Sequence, residues 1–299
     1  MTRVLVVGGS GMLGHKLVQV LSSRFETWAT VRGESLTPAV AGILDQSRTV
    51  KGVRVEAPET VAGALEESGA TTVVNAVGIV KQLDSAKAAV PSIRVNALFP
   101  HELAAACAAR DARLIHVSTD CVFSGNRGGY VEDDTPDARD LYGLTKLLGE
   151  VTELPSAITL RTSIVGRELR GELGLFEWFL SQRSGHIRGF SKAIFSGVTT
   201  AVLAELIGDL IERHDQLSGL WHVSAAPIDK LTLLRELRDA LQIEVEIQPD
   251  NSLVIDRSLD SSRFRSETGW AAPTWETMLA DLAADPTPYE ELRHLDPDR

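Results

Sequence analysis

Tyr142 and Lys146 are the residues of this sequence whose types and spacing most clearly suggest chemistry. They lie four positions apart in a segment that predicts a helix, so both side chains share one helix face. An ammonium group beside a phenol favours the phenolate, and we therefore expect the pKa of Tyr142 to fall from about 10 towards neutrality. Such a phenol could donate a proton to a carbonyl oxygen during reduction. Taken alone, the pair also fits a surface tyrosine packed against a lysine stem.

A hydroxyl group suited to the same reaction follows a predicted strand upstream of the tyrosine. The apolar run 114–117 leads directly into Ser118, Thr119 and Asp120. Side chains at the carboxyl end of a parallel strand face the ligand crevice, where a hydroxyl can hold a substrate carbonyl against the phenol. Ser118 and Thr119 compete for this role on spacing alone, and Asp120 could instead cap a turn. Cys121 has no base at an obvious spacing and is interpreted as an inert, buried thiol.

A glycine-rich turn near the N-terminus predicts a dinucleotide site. Gly8–Gly14 has glycines at the first, fourth and seventh positions and lies between a predicted strand, 4–7, and a predicted helix, 13–21. Glycines permit a tight turn and close approach of the backbone to a pyrophosphate, whose charge is stabilised at the helix N-terminus. The residues expected to line the dinucleotide here are Gly8, Ser10, Gly11, Met12, Leu13 and Gly14.

The ends of two further strands bear on the cofactor. An acidic residue after the second strand would bond the 2′-hydroxyl of NAD, whereas an arginine accommodates the 2′-phosphate of NADP. The predicted second strand, 27–31, is followed by Arg32, which favours NADPH while leaving NADH open. Asn75, Ala76 and Val77 end the fourth predicted strand and are expected to pass close to the cofactor. Lys81 fits a surface position and a phosphate-facing one equally well.

Strands and helices alternate through the first half, which predicts an α/β fold with a doubly wound parallel sheet. A third strand is expected at Val53 and Val55, and one long helix over 91–110, in which Asn96 is interpreted as a buried hydrogen-bonding residue. We predict a dinucleotide-binding domain over 1–165. A smaller, mixed substrate-binding domain is predicted over 166–299, with elements at about 193–224 returning to the first sheet. The charged segment 284–299 predicts a loose tail.

Composition limits the class of partner. The 299 residues carry a net charge of −11, which argues against nucleic acid and anionic membranes as main partners but leaves an anionic substrate open. The two cysteines form no metal or disulfide spacing and fit a reducing compartment. No apolar stretch approaches the ~18 residues of a membrane span, and the N-terminus lacks a signal-peptide pattern. We therefore expect a cytoplasmic protein without a bound metal.

Together these residues resemble the extended short-chain dehydrogenase/reductase superfamily, with its Rossmann-type fold. Within it, the sequence is most similar to dTDP-4-dehydrorhamnose reductases and related sugar-nucleotide reductases. The resemblance covers most of the chain and depends on four segments: Gly8–Gly14, Val117–Gly125, Tyr142–Glu150 and Leu160–Ser163.

The resemblance implies the roles of the catalytic residues and the substrate. Thr119 would be the hydroxyl, Tyr142 the acid, and Lys146 the residue that holds the nicotinamide ribose, so that Tyr142 and Lys146 also contact the cofactor. The substrate would be a nucleotide-linked 4-keto-6-deoxy sugar. Family members usually have tyrosine where this chain has Cys121, and this difference concerns the identity of the substrate. Candidate cations for the substrate's diphosphate are Arg167, Arg170, Arg183, Arg188 and Arg263.

Two functional alternatives stay open at this point. An NAD-dependent epimerase or dehydratase could use the same scaffold, with Asp120 as the additional acid beside the hydroxyl. A non-catalytic dinucleotide-binding regulatory subunit is compatible with the fold, because fold alone does not decide function. A monomer and a homodimer are both compatible with the sequence.

Overall fold

The computed structural model describes residues 2–79 and 88–295 of the chain. Its β-strands are β1 (Arg3–Val7), β2 (Glu26–Thr30), β3 (Thr49–Val50), β4 (Thr72–Asn75), β5 (Arg113–Thr119), β6 (Ala157–Thr162), β7 (Ile164–Val165), β8 (His186–Phe190), β9 (Ala193–Phe195), β10 (Val198–Thr199), β11 (Gly219–His222), β12 (Ile228–Asp229), β13 (Glu246–Asp250) and β14 (Ile255–Asp256).

The α-helices of the described residues are α1 (Met12–Leu21), α2 (Pro38–Ala41), α3 (Pro58–Ser68), α4 (Ala89–Ser92), α5 (Phe99–Ala108), α6 (Leu141–Leu148), α7 (Leu175–Ser181), α8 (Thr200–Arg213), α9 (Lys230–Leu241), α10 (Ser262–Thr268), α11 (Trp275–Ala283) and α12 (Tyr289–His294). Among residues 2–79 and 88–295, 3₁₀ turns cover Gln46–Arg48 and Asp120–Val122, and a π-helical segment covers Ile93–Leu98. Within the described residues, no helix combines the length and apolar character needed to cross a membrane.

A seven-stranded sheet forms the centre of the fold, in the order β11-β6-β5-β4-β1-β2-β3. All of its neighbouring strands are parallel. The chain proceeds from β1 to β2 and β3 on one side and then crosses to β4 on the other, so the strand order reverses between β1 and β4. Ligands bind in the crevice at such a switch point. The predicted doubly wound α/β class is confirmed.

Side chains of the sheet alternate between its two faces and pack into two apolar cores. Val4 and Val6 pack with helices α1 and α8 on one face. Leu5 and Val7 pack with helices α3 and α5 on the other face. A strand covered on both faces has no polar side to present, which explains the continuous apolar run at residues 4–7.

The helix predicted over 91–110 is interrupted by the π-helical segment, and Pro100 supplies the reason. A proline ring clashes with the carbonyl four residues earlier, here that of Asn96, and removes the N–H that would bond to it. The widened turn places the Asn96 carbonyl against Gly149, where an added Cβ would lie 1.9 Å from the carbonyl oxygen. Gly149 also ends α6 at Leu148.

Two predicted elements are wrong. Val53 and Val55 form no strand; the sheet instead gains the two-residue β3, and the Val53 N–H donates to the carbonyl of Val31 at 3.1 Å. The predicted loose tail contains α12, in which Tyr289 is 1% exposed. Charge density suggested a tail, but Tyr289 and Leu292 lie on one apolar helix face that packs against the core.

The second half adds small sheets beside the large one. Their orders are β10-β7, β12-β9-β14 and β13-β8. Strand β11, within the segment 193–224, pairs with β6 and extends the large sheet. The division into domains 1–165 and 166–299 stays a prediction.

Candidate functional site

Helix α6 carries the tyrosine and the lysine, and its start is fixed by local contacts. The Asp140 side chain caps the helix by accepting from the Gly143 N–H at 3.0 Å. A Cβ at position 143 would lie 2.4 Å from the Cys121 carbonyl oxygen, so only glycine lets the helix approach this closely. The approach brings Tyr142 beside the end of β5.

The hydroxyl groups of Thr119 and Ser118, at the end of β5, contact different partners. The Thr119 hydroxyl accepts from the Cys121 N–H at 3.1 Å and donates to Asp120 at 3.2 Å, and it is close enough to the Tyr142 phenol to lower the pKa of that phenol. The Ser118 hydroxyl instead donates to Glu150 at 2.7 Å. Of the two competing hydroxyls, the structure therefore places Thr119 at the phenol. Its role in catalysis stays a prediction.

The pKa of Tyr142 does not move in the direction predicted from the sequence. Burial raises it, and the neighbouring Cys121 and Asp120 raise it further, while the Thr119 hydrogen bond opposes the shift. Lys146 directs its Nζ to the carbonyl of Val117 at 2.8 Å. The expectation that Lys146 would depress the phenol's pKa is wrong for this state. A raised pKa keeps the phenol protonated at neutral pH, which is the form a proton donor needs.

Lys146 is a buried cation next to the site. The residue is 5% exposed, and its Nζ lies against β5 through the Val117 carbonyl. Burial lowers its pKa to about 8, and the carboxylate of Glu150 opposes part of that shift. A lysine in this range changes charge near neutral pH, which suits a group that supports proton transfer.

The glycine turn after β1 has the geometry of a phosphate cradle. Gly8 has φ of +91°, a conformation that L side chains rarely adopt. The turn is tied to β2, since Gly8 N–H donates to the Thr30 hydroxyl at 3.1 Å and Gly9 N–H to the Thr30 carbonyl at 2.8 Å. A Cβ at Gly14 would lie 2.0 Å from the Gly8 carbonyl oxygen, so the helix packs directly on the turn.

The predicted residues at the start of α1 fit a dinucleotide through their backbone. Gly11 is the N-cap and no side chain caps the helix, which leaves the first amide N–H groups of α1 for an anion. Ser10 is exposed and Met12 is half-buried at this edge. The side chain of Leu13 is in the core, so only its backbone can contribute to binding.

Arg32 lies where the sequence predicted it, at the surface after β2. Its side chain is 81% exposed, with Glu56 4.0 Å away. An exposed pair of this kind contributes little, so the guanidinium can turn to a 2′-phosphate at small cost.

The segment after β4 borders the glycine turn. A Cβ at Gly8 would lie 2.8 Å from Val77 Cγ2, and both Ala76 and Val77 are half-buried. Asn75 is buried; its amide donates to His116 Nδ1 at 3.1 Å and accepts from the Val77 N–H at 3.1 Å. The Asn75 side chain therefore shapes this segment from within the protein.

Asn96 has the buried hydrogen-bonding role predicted for it. It is 1% exposed, accepts from the Ile79 N–H at 2.9 Å and donates to the Ile79 carbonyl at 3.0 Å. It thus holds the segment after β4 against α6, near Thr145 at 3.5 Å. Lys81 lies outside the described residues.

Two cations near the site were missed by the sequence reasoning. Lys230, at the start of α9, places its Nζ 3.9 Å from the centroid of the Phe195 ring. Arg257 donates from Nε to the Phe123 carbonyl at 2.8 Å. Burial raises the pKa of Asp120, and the charges of Arg257 and Lys230 both oppose that shift. No spacing pattern connects positions 120, 230 and 257, so only the fold reveals this cluster.

Arginines suggested for a diphosphate are engaged within the protein. Arg167 contacts Glu177 at 2.7 Å and Glu290 at 3.0 Å. Arg188 contacts Asp250 at 3.1 Å, and Arg263 lies 3.6 Å from Asp133. The described residues contain no group of three or more histidine, cysteine, aspartate or glutamate side chains placed to hold a metal ion.

Comparison of the sequence with known proteins gives consistent matches. The family model described as the RmlD substrate binding domain matches residues 1–286. The probable low-salt glycan biosynthesis reductase Agl14 of Haloferax volcanii is 30% identical over 301 residues, covering 93% of this chain and 96% of that protein. The dTDP-4-dehydrorhamnose reductase of Mycolicibacterium smegmatis is 32% identical over 176 residues, covering 55% of this chain and 46% of that protein.

Solved structures share the fold. The crystal structure of a dTDP-4-dehydrorhamnose reductase from Bacillus anthracis in complex with NADP superposes with a TM-score of 0.78. It is 20% identical and covers 96% of this chain and 100% of that one. The resemblance inferred from the sequence motifs is confirmed.

Proposed function

The chain belongs to the family of the RmlD substrate-binding domain, and we propose that it reduces a nucleotide-linked 4-keto-6-deoxy sugar with NADPH, NADH being the alternative donor. The observation that carries this proposal is the meeting of Thr119 and Tyr142 at the carboxyl edge of β5. Lys146 is buried one helical turn further along α6. The glycine turn after β1 lies at the same edge of the sheet, so a dinucleotide there would face the phenol.

Each residue of this set has a role that its environment supports. When bound at this edge, the nicotinamide would supply the hydride for the carbonyl carbon of the sugar. Tyr142 donates its proton to the carbonyl oxygen, and burial keeps it protonated until then. Thr119 orients that oxygen through its hydroxyl. Lys146 stabilises the phenolate left by proton transfer and contributes to the hold on the ribose.

We assign the binding of the substrate's charged part to residues in the second half of the chain. Lys230 and Arg257 add positive charge beside Asp120 and Cys121, immediately after Thr119. This local charge suits an anionic nucleotide sugar despite the net charge of −11. By the family resemblance, a tyrosine is usual at the position of Cys121, so the thiol here would give a different contact to the sugar. A homodimer and a cytoplasmic location stay predictions; sedimentation velocity tests the former.

The proposal is tested by NADPH oxidation against a panel of dTDP-, UDP- and GDP-linked 4-keto sugars, with NADH in parallel. We expect stoichiometric oxidation with at least one of them and a sugar product reduced at the former carbonyl. Tightly retained NAD with no net consumption of NADPH would identify an epimerase or dehydratase instead. NADPH binding without turnover of any panel member would favour a regulatory subunit.

A further inference from the structure

A buried ion pair lies directly behind the proposed catalytic set. Arg161 binds Glu150 through two hydrogen bonds of 2.8 Å, from Nε to Oε1 and from Nη2 to Oε2. Their side chains are only 3% and 5% exposed. Ser118 donates to the same Oε1 at 2.7 Å. Both carboxylate oxygens are therefore occupied, which is the condition under which a buried pair is tolerated.

The ion pair is connected by hydrogen bonds to a residue of the strand at the edge of the large sheet. Ser118, Arg161 and His222 are cross-strand partners on β5, β6 and β11. His222 Nδ1 donates to the Tyr130 carbonyl at 3.0 Å, so its Nε2 accepts from Arg161 at 3.3 Å. Burial lowers the pKa of His222 to about 4, which keeps the ring neutral and preserves this arrangement. We call Ser118, Glu150, Arg161 and His222 the α6 network.

The network contacts the surroundings of Lys146 at two points. Glu150 lies two residues beyond the end of α6 and four positions after Lys146 in the sequence. Ser118 follows Val117, whose carbonyl accepts from Lys146 Nζ at 2.8 Å. The carboxylate of Glu150 is the charge that favours the ammonium form of Lys146 against burial.

Other titratable groups on the elements around Lys146 contribute differently. His116 on β5 is buried beside it, and burial holds its pKa well below the usual value, so it adds no charge at neutral pH. Asp120 is in the 3₁₀ turn, His101 is on α5, and Arg94 is on the π-helical segment. Of this set, Glu150 directly follows the helix that carries Lys146, and its carboxylate is fixed in place by three hydrogen bonds.

We propose that Glu150 is a positioning residue that keeps Lys146 in its ammonium form, and that Arg161 and Ser118 hold the Glu150 carboxylate in the place where it does so. This rests on the proposed function only in that Lys146 is taken to act with Tyr142. A purely structural ion pair would stabilise the fold without affecting the titration of Lys146, so the two roles are separable by measurement.

The test measures the titration of the Lys146 ammonium group directly. Protein labelled with ¹³C at the lysine Cε is titrated by NMR, and the Lys146 signal is assigned by its loss in Lys146→Arg. Glu150→Gln should lower the pKa of Lys146 by about one unit, the lower range for loss of an adjacent opposite charge. Glu153→Gln is the matched control, because Glu153 is exposed and its removal changes the net charge equally. It should leave the Lys146 titration unchanged.

Turnover supplies a second readout. In Glu150→Gln, the alkaline limb of the kcat/KM profile should move to lower pH by the same amount as the NMR titration. Glu150→Asp keeps the charge but withdraws it by one methylene group, so Lys146 should titrate between the parent and Glu150→Gln. If Glu150→Gln does not fold, Glu150→Asp carries the test.

A Lys146 titration identical to the parent in a folded Glu150 variant would overturn the proposal. The NMR result does not depend on finding a substrate. Failure of the proposed reductase function would appear as absent turnover in the parent, whereas failure of this inference would appear as an unmoved Lys146 signal.

Discussion

Two buried polar networks of this chain are built from similar parts and lie in different regions of the fold. The α6 network lies behind the catalytic helix. The α1 network comprises His15 and Lys16 on α1 with Asp285 and Tyr289 near the C-terminus. His15 Nδ1 donates to the Gly11 carbonyl at 2.8 Å, and its Nε2 accepts from the Tyr289 hydroxyl at 2.9 Å. Lys16 binds Asp285 at 2.6 Å, with both side chains below 10% exposed.

Each network combines a neutral histidine with an ion pair, but the two networks contact different parts of the molecule. The α6 network contacts the strand end and the helix that carry the proposed catalytic set. The α1 network joins the first helix of the chain to its last described segment. We therefore expect damage to the α6 network to alter chemistry, and damage to the α1 network to alter stability alone.

Lys146→Met should give the largest effect, because it removes the group that the α6 network serves. Turnover should fall by about two to four orders of magnitude, the range of general acid catalysis. NADPH affinity should fall as well, since the ammonium would contact the ribose. Steady-state kinetics and cofactor titration by fluorescence measure the two quantities. Parental affinity together with a parental pH profile would leave Lys146 as a structural cation.

Asp285→Asn tests the α1 network. Removing one partner of a buried ion pair costs about 3–5 kcal/mol, because the other charge is left uncompensated. The free energy of unfolding in urea should fall by this amount while kcat of the folded fraction is unchanged. Asp250→Asn is the control, because its partner Arg188 is 70% exposed and an exposed ion pair contributes little to stability. Lower kcat in Asp285→Asn would abolish the distinction between the networks.

Acid should destabilise both networks through their histidines. Burial lowers the pKa of His15 and of His222 from 6.5 to about 4. Between these values the unfolded chain binds more protons than the folded one. Stability is therefore full above pH 6.5 and falls as the pH approaches 4, by about 3 kcal/mol per histidine at most. Urea unfolding across this range should show a shallower loss in His15→Gln; an equal slope would mean that His15 does not titrate on unfolding.

Arg32→Asp should have the smallest effect and belongs to neither network. Arginine pairs with a 2′-phosphate, whereas a carboxylate repels it and can bond a free 2′-hydroxyl. The ratio of NADPH to NADH affinity should fall by about one to two orders of magnitude, corresponding to roughly 1.5–3 kcal/mol. Cofactor titration without substrate measures it, and unfolding in urea should be unchanged. An unaltered ratio would show that Arg32 points only to solvent.

The sequence predicted what depends on local spacing. The glycine turn, the tyrosine and lysine four apart, and the hydroxyls after a strand all lie within short segments whose elements are strongly patterned. The choice of Thr119 over Ser118 came from resemblance, since both hydroxyls fit the spacing. The structure then places only Thr119 beside the phenol.

The features that sequence analysis missed depend on contacts between residues that are far apart in the sequence. The pKa of Tyr142 rises because the folded chain buries the phenol, and burial is invisible in a four-residue spacing. Lys230 comes from a helix 110 positions beyond Asp120, and the two share no motif. Tyr289 is buried because its partner His15 lies at the other end of the chain. Composition around 284–299 could not reveal that contact.

The measurement that tests the central claim most directly is NADPH oxidation by the parent and by Tyr142→Phe with a keto sugar that the parent reduces. The substitution removes only the phenol oxygen, so NADPH affinity should be close to that of the parent. Turnover should fall at least ~100-fold, because the proposed proton donor is gone. Turnover equal to that of the parent would contradict the account, since the carbonyl oxygen would then receive its proton from another group.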